Sequence, residues 1–83
     1  MDYRDLGARV KACRIRKHLT QEQMAELLGL SVSMIGHMER GTRAASLDTL
    51  AGVCRLLDVS MGYLLEKSLT ISNGQMHKNN FLN

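Results

Sequence analysis

Residues 19–41, LTQEQMAELLGLSVSMIGHMERG, decide the fold of this chain. Thr20 is a hydroxyl residue and Gln23 follows three positions later, which is the spacing of a capping box at a helix start. Apolar residues then recur at the i, i+3, i+4 spacing of one helix face: Met24, Leu27 and Leu28. Gly29 comes next, where a left-handed C-terminal cap needs no Cβ. The pattern predicts a helix over 21–28.

A second short helix is predicted after a tight turn. Ser31 can cap its N-terminus, and Ile35 and Met38 are spaced to face inward. The opposite side carries small and polar residues: Ser33, Gly36, His37 and Arg40. A helix with one buried stripe and one stripe of donors and acceptors suits a DNA major groove. The sequence therefore predicts a recognition helix over 32–40.

The stretch resembles the helix-turn-helix of the phage-repressor (Cro/Xre-like) family of transcriptional regulators. The resemblance is carried by LTQEQMA, LGLS, the apolar pair Ile35 and Met38, and ERG at 39–41. It implies an all-α, five-helix DNA-binding domain over 1–65, followed by a flexible or dimerising tail over 66–83. It also implies double-stranded DNA as the partner of a homodimeric regulator, a repressor, on a two-fold operator.

The same resemblance implies roles for individual residues. The base-contacting positions are Val32, Ser33, Met34 and His37. The phosphate-contacting positions are Gln21, Ser31, Arg40, Thr42 and Arg43. Arg14 is expected to pair with Glu39 and so connect the first helix to the recognition helix. Met34 could equally support the core, and Gln21 could simply face solvent.

Side-chain chemistry gives the base-contacting positions distinct partners. Val32 can pack against a thymine methyl group, and His37 can donate to the N7 or O6 acceptors of guanine. Ser33 can donate or accept and specifies little alone. No Arg, Asn or Gln stands at these positions, and Gly36 replaces an expected polar residue. Strong discrimination by this helix alone is therefore not expected.

Three further helices and a tail complete the prediction. A first helix over about 5–17 has an apolar inner face: Leu6, Val10 and Cys13. A fourth opens at Ser46 with the stripe Leu47, Leu50, Val53, Cys54 and Leu57. A short fifth helix over 61–65 completes the core or forms a dimer seam. The tail alternates in a strand-like way over 68–72 and has a hairpin turn at 73–74; a disordered tail, a hairpin and a dimerising or partner-binding extension all remain open.

Composition suits a small nucleic-acid-binding domain. The 83 residues carry a net charge of +3, which suits a polyanionic partner without proving one. No apolar run is long enough for a membrane span and no apolar signal segment stands at the start, so a cytoplasmic protein is expected. The cysteines and histidines lack metal spacing, and no catalytic signature is present. Neither a cofactor nor a metal nor enzymatic activity is expected.

Two alternatives to a repressor remain open. The domain could belong to an antitoxin or to a controller of a restriction–modification cassette, and the genome neighbourhood would discriminate between them. It could also be a protein-interaction module without DNA binding, which would show no salt-dependent binding to any duplex.

Overall fold

The computed structural model describes residues 1–66, and within them every regular element is a helix. The helices are α1 Tyr3–Arg16, α2 Gln21–Leu28, α3 Val32–Arg40, α4 Leu47–Leu57 and α5 Met61–Leu64. The predicted all-α, five-helix class is confirmed over this range. The predicted hairpin and the rest of the tail lie outside the described residues. None of the helices in residues 1–66 is long and apolar enough to cross a membrane.

Helix ends are set by local hydrogen bonds. α2 to α5 each begin after a hydroxyl residue whose side chain accepts a backbone N–H: Thr20, Ser31, Ser46 and Ser60. α1 begins at Tyr3 rather than near residue 5 because the Asp2 carboxylate caps it by accepting the N–H of Asp5. α2 and α3 are capped at their C-termini by Gly29 and Gly41, where φ is 70° and 72°. A glycine adopts this left-handed conformation without steric cost, so the turn between α2 and α3 is fixed locally.

The core is aliphatic and receives side chains from all five helices. Its buried members are Leu6, Val10, Cys13, Met24, Ala25, Ile35, Met38, Leu50, Val53, Leu57 and Leu64. α1 packs mainly against α3, and α2 lies against both α3 and α4. Leu64 is fully buried, so α5 contributes to the core, while Tyr63 beside it is 38% exposed.

Two leucines are not where their apolar spacing places them. Leu27 is 61% exposed and Leu47 is 73% exposed. The inner face of α2 runs instead through Met24, Ala25 and Leu28, because only one side of this short helix meets the core. Leu47 is the first residue of α4 and lies at the surface, beyond the buried part of that helix. The predictions for these two positions were wrong.

α1 and α3 approach each other closely because Gly7 has no side chain. A Cβ on Gly7 would lie 2.5 Å from the Glu39 carbonyl oxygen and closer still to that of Met38. At Gly41 a Cβ would lie 2.7 Å from the backbone of Arg4. The first half of α1 therefore lies directly on the C-terminal end of α3. No sequence signal had pointed to Gly7.

Candidate nucleic-acid interface

The exposed side of α3 brings the predicted base-contacting residues together. Val32 and Ser33 are exposed in its first turn, and Met34 and His37 are half-buried. Ile35 and Met38 point the other way and are buried. Ser31 precedes this face, and Thr42 and Arg43 follow it; all three are exposed. The Ser31 hydroxyl oxygen accepts the N–H of Met34 at 3.1 Å, which leaves its own hydrogen free to donate.

His37 is held by the loop that follows α3. Its Nδ1 lies 2.8 Å from Oγ1 of Thr42, and the Thr42 N–H donates to the His37 carbonyl oxygen at 3.0 Å. The Thr42 hydroxyl also reaches that carbonyl, at 3.3 Å. Within residues 1–66 the Nε2 atom has no hydrogen-bond partner, so the imidazole is oriented while one nitrogen stays available. The sequence had assigned Thr42 to phosphate and not to this bond.

Gly36 is buried, although the sequence placed it on the outer side of α3. The three heavy atoms nearest to a Cβ at Gly36 all belong to the Arg40 guanidinium, with Nη1 at 2.8 Å. The arginine side chain therefore runs back along the helix and covers the glycine. The position is on the outer side of α3, as the sequence predicts, but Arg40 shields it from solvent.

Met34 and Arg43 connect the recognition helix to the loop before α4. Nη1 of Arg43 lies 3.6 Å from the Met34 sulfur. Both residues line a cavity of about 240 Å³ together with Leu30, Met38, Ala44, Ala45, Ser46 and Thr49. Met34 thus supports the loop and also borders the exposed face of α3. The two interpretations of this residue are compatible.

A buried ion pair fixes α3 against α1. Nε of Arg14 donates to Oε2 of Glu39 at 2.6 Å, and Nη2 donates to Oε1 at 3.1 Å. The side chains are only 9% and 2% exposed. Nη1 of Arg14 donates to the Leu19 carbonyl oxygen at 2.8 Å, and Nε2 of Gln21 donates to Oε1 of Glu39 at 3.0 Å. The hydrogen bonds to Glu39 raise the pKa of Arg14, so the guanidinium stays charged.

The pair explains how the two helices of the motif are oriented. Arg14 lies on α1, Gln21 opens α2, and Glu39 lies in the last turn of α3. A bidentate arginine–carboxylate bridge fixes geometry as well as adding energy. Gln21, which the sequence assigned to phosphate, uses one N–H of its amide inside this network.

Arg9 has a role that was not found from the sequence. Its Nε donates to Asp5 at 2.9 Å, and its Nη1 donates to the Tyr63 carbonyl and the Glu66 carboxylate, each at 3.2 Å. Its Cζ lies 4.9 Å from the centre of the Tyr63 ring. The hydrogen bond to Asp5 raises the pKa of Arg9. The i, i+4 spacing of Asp5 and Arg9 was available as a signal, but the attachment of α5 to α1 was not.

Both cysteines are free thiols, and Cys13 is buried. Over the 66 described residues, no group of three or more His, Cys, Asp or Glu could hold a metal ion.

Comparison with known proteins identifies the family. The sequence profile of the helix-turn-helix family matches residues 10–64, which is more than half of the chain. The chain belongs to the Cro/Xre-like helix-turn-helix family of transcriptional regulators. The family prediction made from residues 19–41 is confirmed.

Members of this Cro/Xre-like family resemble the chain to different extents. The HTH-type transcriptional regulator YqaE of Bacillus subtilis (strain 168) is 40% identical over 57 residues, which cover 69% of this chain and 49% of YqaE. The control protein C.SmaI of Serratia marcescens is 37% identical over 68 residues, 81% of each chain. The crystal structure of the restriction-modification controller protein C.AhdI from Aeromonas hydrophila has a TM-score of 0.71 at 36% identity, covering 76% of this chain and 96% of that chain. The chain thus spans about half the length of YqaE but most of the length of the two control proteins.

Proposed function

We propose that this chain binds double-stranded DNA sequence-specifically through α3 and represses transcription from the bound site. The exposed face of α3, held by the buried pair of Arg14 and Glu39, is the observation that carries the proposal. An α-helix fits the major groove, where each base pair presents a distinct pattern of donors and acceptors. A rigidly held helix keeps its contacts in register with those patterns.

Base contacts are assigned to the four residues of that face: Val32, Ser33, Met34 and His37. Val32, 40% exposed, offers an apolar surface to a thymine methyl group. The free Nε2 of His37 can donate to guanine in one tautomer and accept from an exocyclic amine in the other, and the Thr42 hydroxyl can pair with Nδ1 in either tautomer. Ser33 and Met34 add a hydroxyl group and an apolar edge.

Phosphate contacts are assigned to the residues around that face. Gln21 and Ser31 stand at the starts of α2 and α3, where backbone N–H groups without helical partners can bind an anion. Thr42 and Arg43 follow α3 and are exposed. Together these residues would contact the sugar–phosphate backbone on both sides of the major groove.

The proposal includes a homodimer on a two-fold operator. Two recognition helices would then lie about 34 Å apart, one turn of DNA. The surface of α5 supports a second copy as the partner, because Tyr63 is exposed beside the half-buried Met61 and Leu65. Sedimentation of the full chain at micromolar concentration should give a dimer, and a monomer both free and on DNA would contradict this part.

Selection of binding sites from a random duplex pool, followed by salt titrations, tests the proposal. Arg43→Ala should weaken binding to the selected and a random duplex equally and flatten the salt slope by about one, because one phosphate contact is lost. His37→Ala should cost about 1–3 kcal/mol on the selected duplex and little on the random one. Its folding should change by less than about 1 kcal/mol, since only an exposed hydrogen bond is removed. A parent chain that binds no duplex with salt dependence would instead be a protein-interaction module.

A second candidate function is control of a restriction–modification cassette. It is favoured by the similarity to C.SmaI and C.AhdI, which extends over most of the length of those proteins. Restriction and modification genes beside the coding sequence, with the selected operator upstream of them, would establish this role.

A further inference from the structure

None of the four assigned base-contacting positions on α3 is an arginine, but the guanidinium of Arg40 lies on the same side of the helix. Arg40 is exposed, and its side chain lies on Gly36 with Nη1, Cζ and Nη2 at 2.8, 3.5 and 3.5 Å from the position of a glycine Cβ. Gly36 precedes Arg40 by four residues, about 6 Å or one turn along the helix. The charge is therefore displaced from the C-terminal end of α3 toward its middle.

This guanidinium has no acceptor in the described part of the chain. Arg9 and Arg14 are occupied by carboxylates and carbonyls, and Arg43 lies against a sulfur atom. Within residues 1–66 Arg40 makes no side-chain hydrogen bond or ion pair, so all five of its N–H donors are free for a ligand. Packing on a glycine also keeps the planar group close to the helix backbone, inside the footprint of α3.

Its neighbours on the helix are the base-contacting residues. Ser33, His37 and Arg40 lie at i, i+4 and i+7, which is one stripe of an α-helix. A side chain that projected outward from the helix end would meet the phosphate backbone. One folded back over Gly36 points its donors along the same stripe that faces the base edges.

We propose that Arg40, packed on Gly36, reads a guanine in the major groove and is a specificity-determining residue of this protein. The inference rests on the proposed function of α3 as the recognition helix. A planar guanidinium donates two parallel hydrogen bonds to O6 and N7 of guanine, which is the most frequent specific contact of this kind. Gly36 is a positioning residue, because any side chain there would displace the guanidinium.

Four variants test the proposal on the selected duplex and on a random duplex. Arg40→Ala should bind the selected duplex about 5- to 150-fold more weakly and lose its preference at one base pair. Arg40→Lys keeps the positive charge, so it should bind random DNA about as well as the parent. It should still lack the preference at that base pair, because an ammonium group has no planar fork. Gly36→Ala should lose the same preference while it melts at or above the parent temperature, since alanine is the better helix former. Added to Arg40→Ala, Gly36→Ala should change the base preference no further.

Gly52→Ala is the matched control. It also replaces a glycine inside a helix, but its Cβ would meet only the ends of flexible side chains, Leu28 at 3.3 Å and Arg55 at 4.0 Å. Its base preference should equal that of the parent. Equal loss on both duplexes for Arg40→Ala, or a parental base preference in Gly36→Ala, would overturn the proposal while the proposed function stands. A parent chain that selects no sequence would overturn both.

Discussion

Replacing Arg14 with methionine keeps an unbranched apolar side chain in place and removes the guanidinium that three acceptor atoms share. Both carboxylate oxygens of Glu39 and the Leu19 carbonyl oxygen lose a donor. The Glu39 side chain is only 2% exposed in the native chain, so it depends on buried donors, and Gln21 is the one donor left to it among the described side chains. The variant therefore buries a carboxylate without a counter-charge.

The size of the effect follows from that burial. Breaking a buried pair by removing one partner costs about 3–5 kcal/mol. A domain of this size has a free energy of unfolding of about 4–12 kcal/mol. Each kcal/mol shifts the melting temperature of a small domain by about 4–8 °C, so Arg14→Met should melt at least about 12 °C below the parent. DNA binding should fall only in proportion to the folded fraction.

Urea unfolding followed by circular dichroism measures this loss. Lys11→Met is the control, because it removes an exposed cation from the same helix and should change stability by less than about 0.5 kcal/mol. The double variant Arg14→Met/Glu39→Met buries no charge and should regain more than about 1 kcal/mol over Arg14→Met alone. A loss below about 1 kcal/mol for Arg14→Met, or no recovery in the double variant, would refute the reasoning.

Three further predictions concern packing, backbone geometry and thiol chemistry. Gly7→Ala should destabilise the fold by about 1–3 kcal/mol or more in thermal melts, because its Cβ would collide with backbone carbonyls of α3. An unchanged melting temperature would contradict the close approach of α1 to α3. Asp58 is the C-cap of α4 and has a φ of 58°, a left-handed conformation that glycine adopts more easily, so Asp58→Gly should raise the free energy of unfolding by up to about 1 kcal/mol. A lower free energy of unfolding would mean that the Asp58 side chain stabilises the cap. Burial raises the pKa of the Cys54 thiol, so less thiolate is present at pH 8. Alkylation of Cys54 followed by mass spectrometry should therefore be slower in the native chain than in urea, and equal rates would contradict a perturbed thiol.

The sequence predicted what is encoded locally. The bounds of α2 and α3 agree with the prediction because the caps at Thr20 and Ser31 and the left-handed glycines after each helix act within a few residues. The wrong placement of Leu27 has a different origin. Periodicity gives the spacing of an apolar face, but which side of a short helix is covered depends on its neighbours in space.

Contacts between distant residues could not be read from spacing. Nothing local distinguishes Gly7 from a tolerated glycine, since its importance comes from carbonyl groups more than thirty positions away. The attachment of Arg9 to Tyr63 is of the same kind. Arg40 and Gly36 are four residues apart, and that spacing was visible; the direction in which the arginine side chain runs was not.

The buried network around Glu39 also limits how the recognition helix can be transplanted. A protein engineer who grafts residues 31–43 into another scaffold would carry the Glu39 carboxylate without the arginine of α1 that neutralises it. The graft would be stable only if the host supplied a guanidinium at the same place, with a carbonyl to receive its third donor, or if position 39 were made apolar. Altered DNA specificity is therefore better sought by substitutions within this chain than by moving its motif elsewhere.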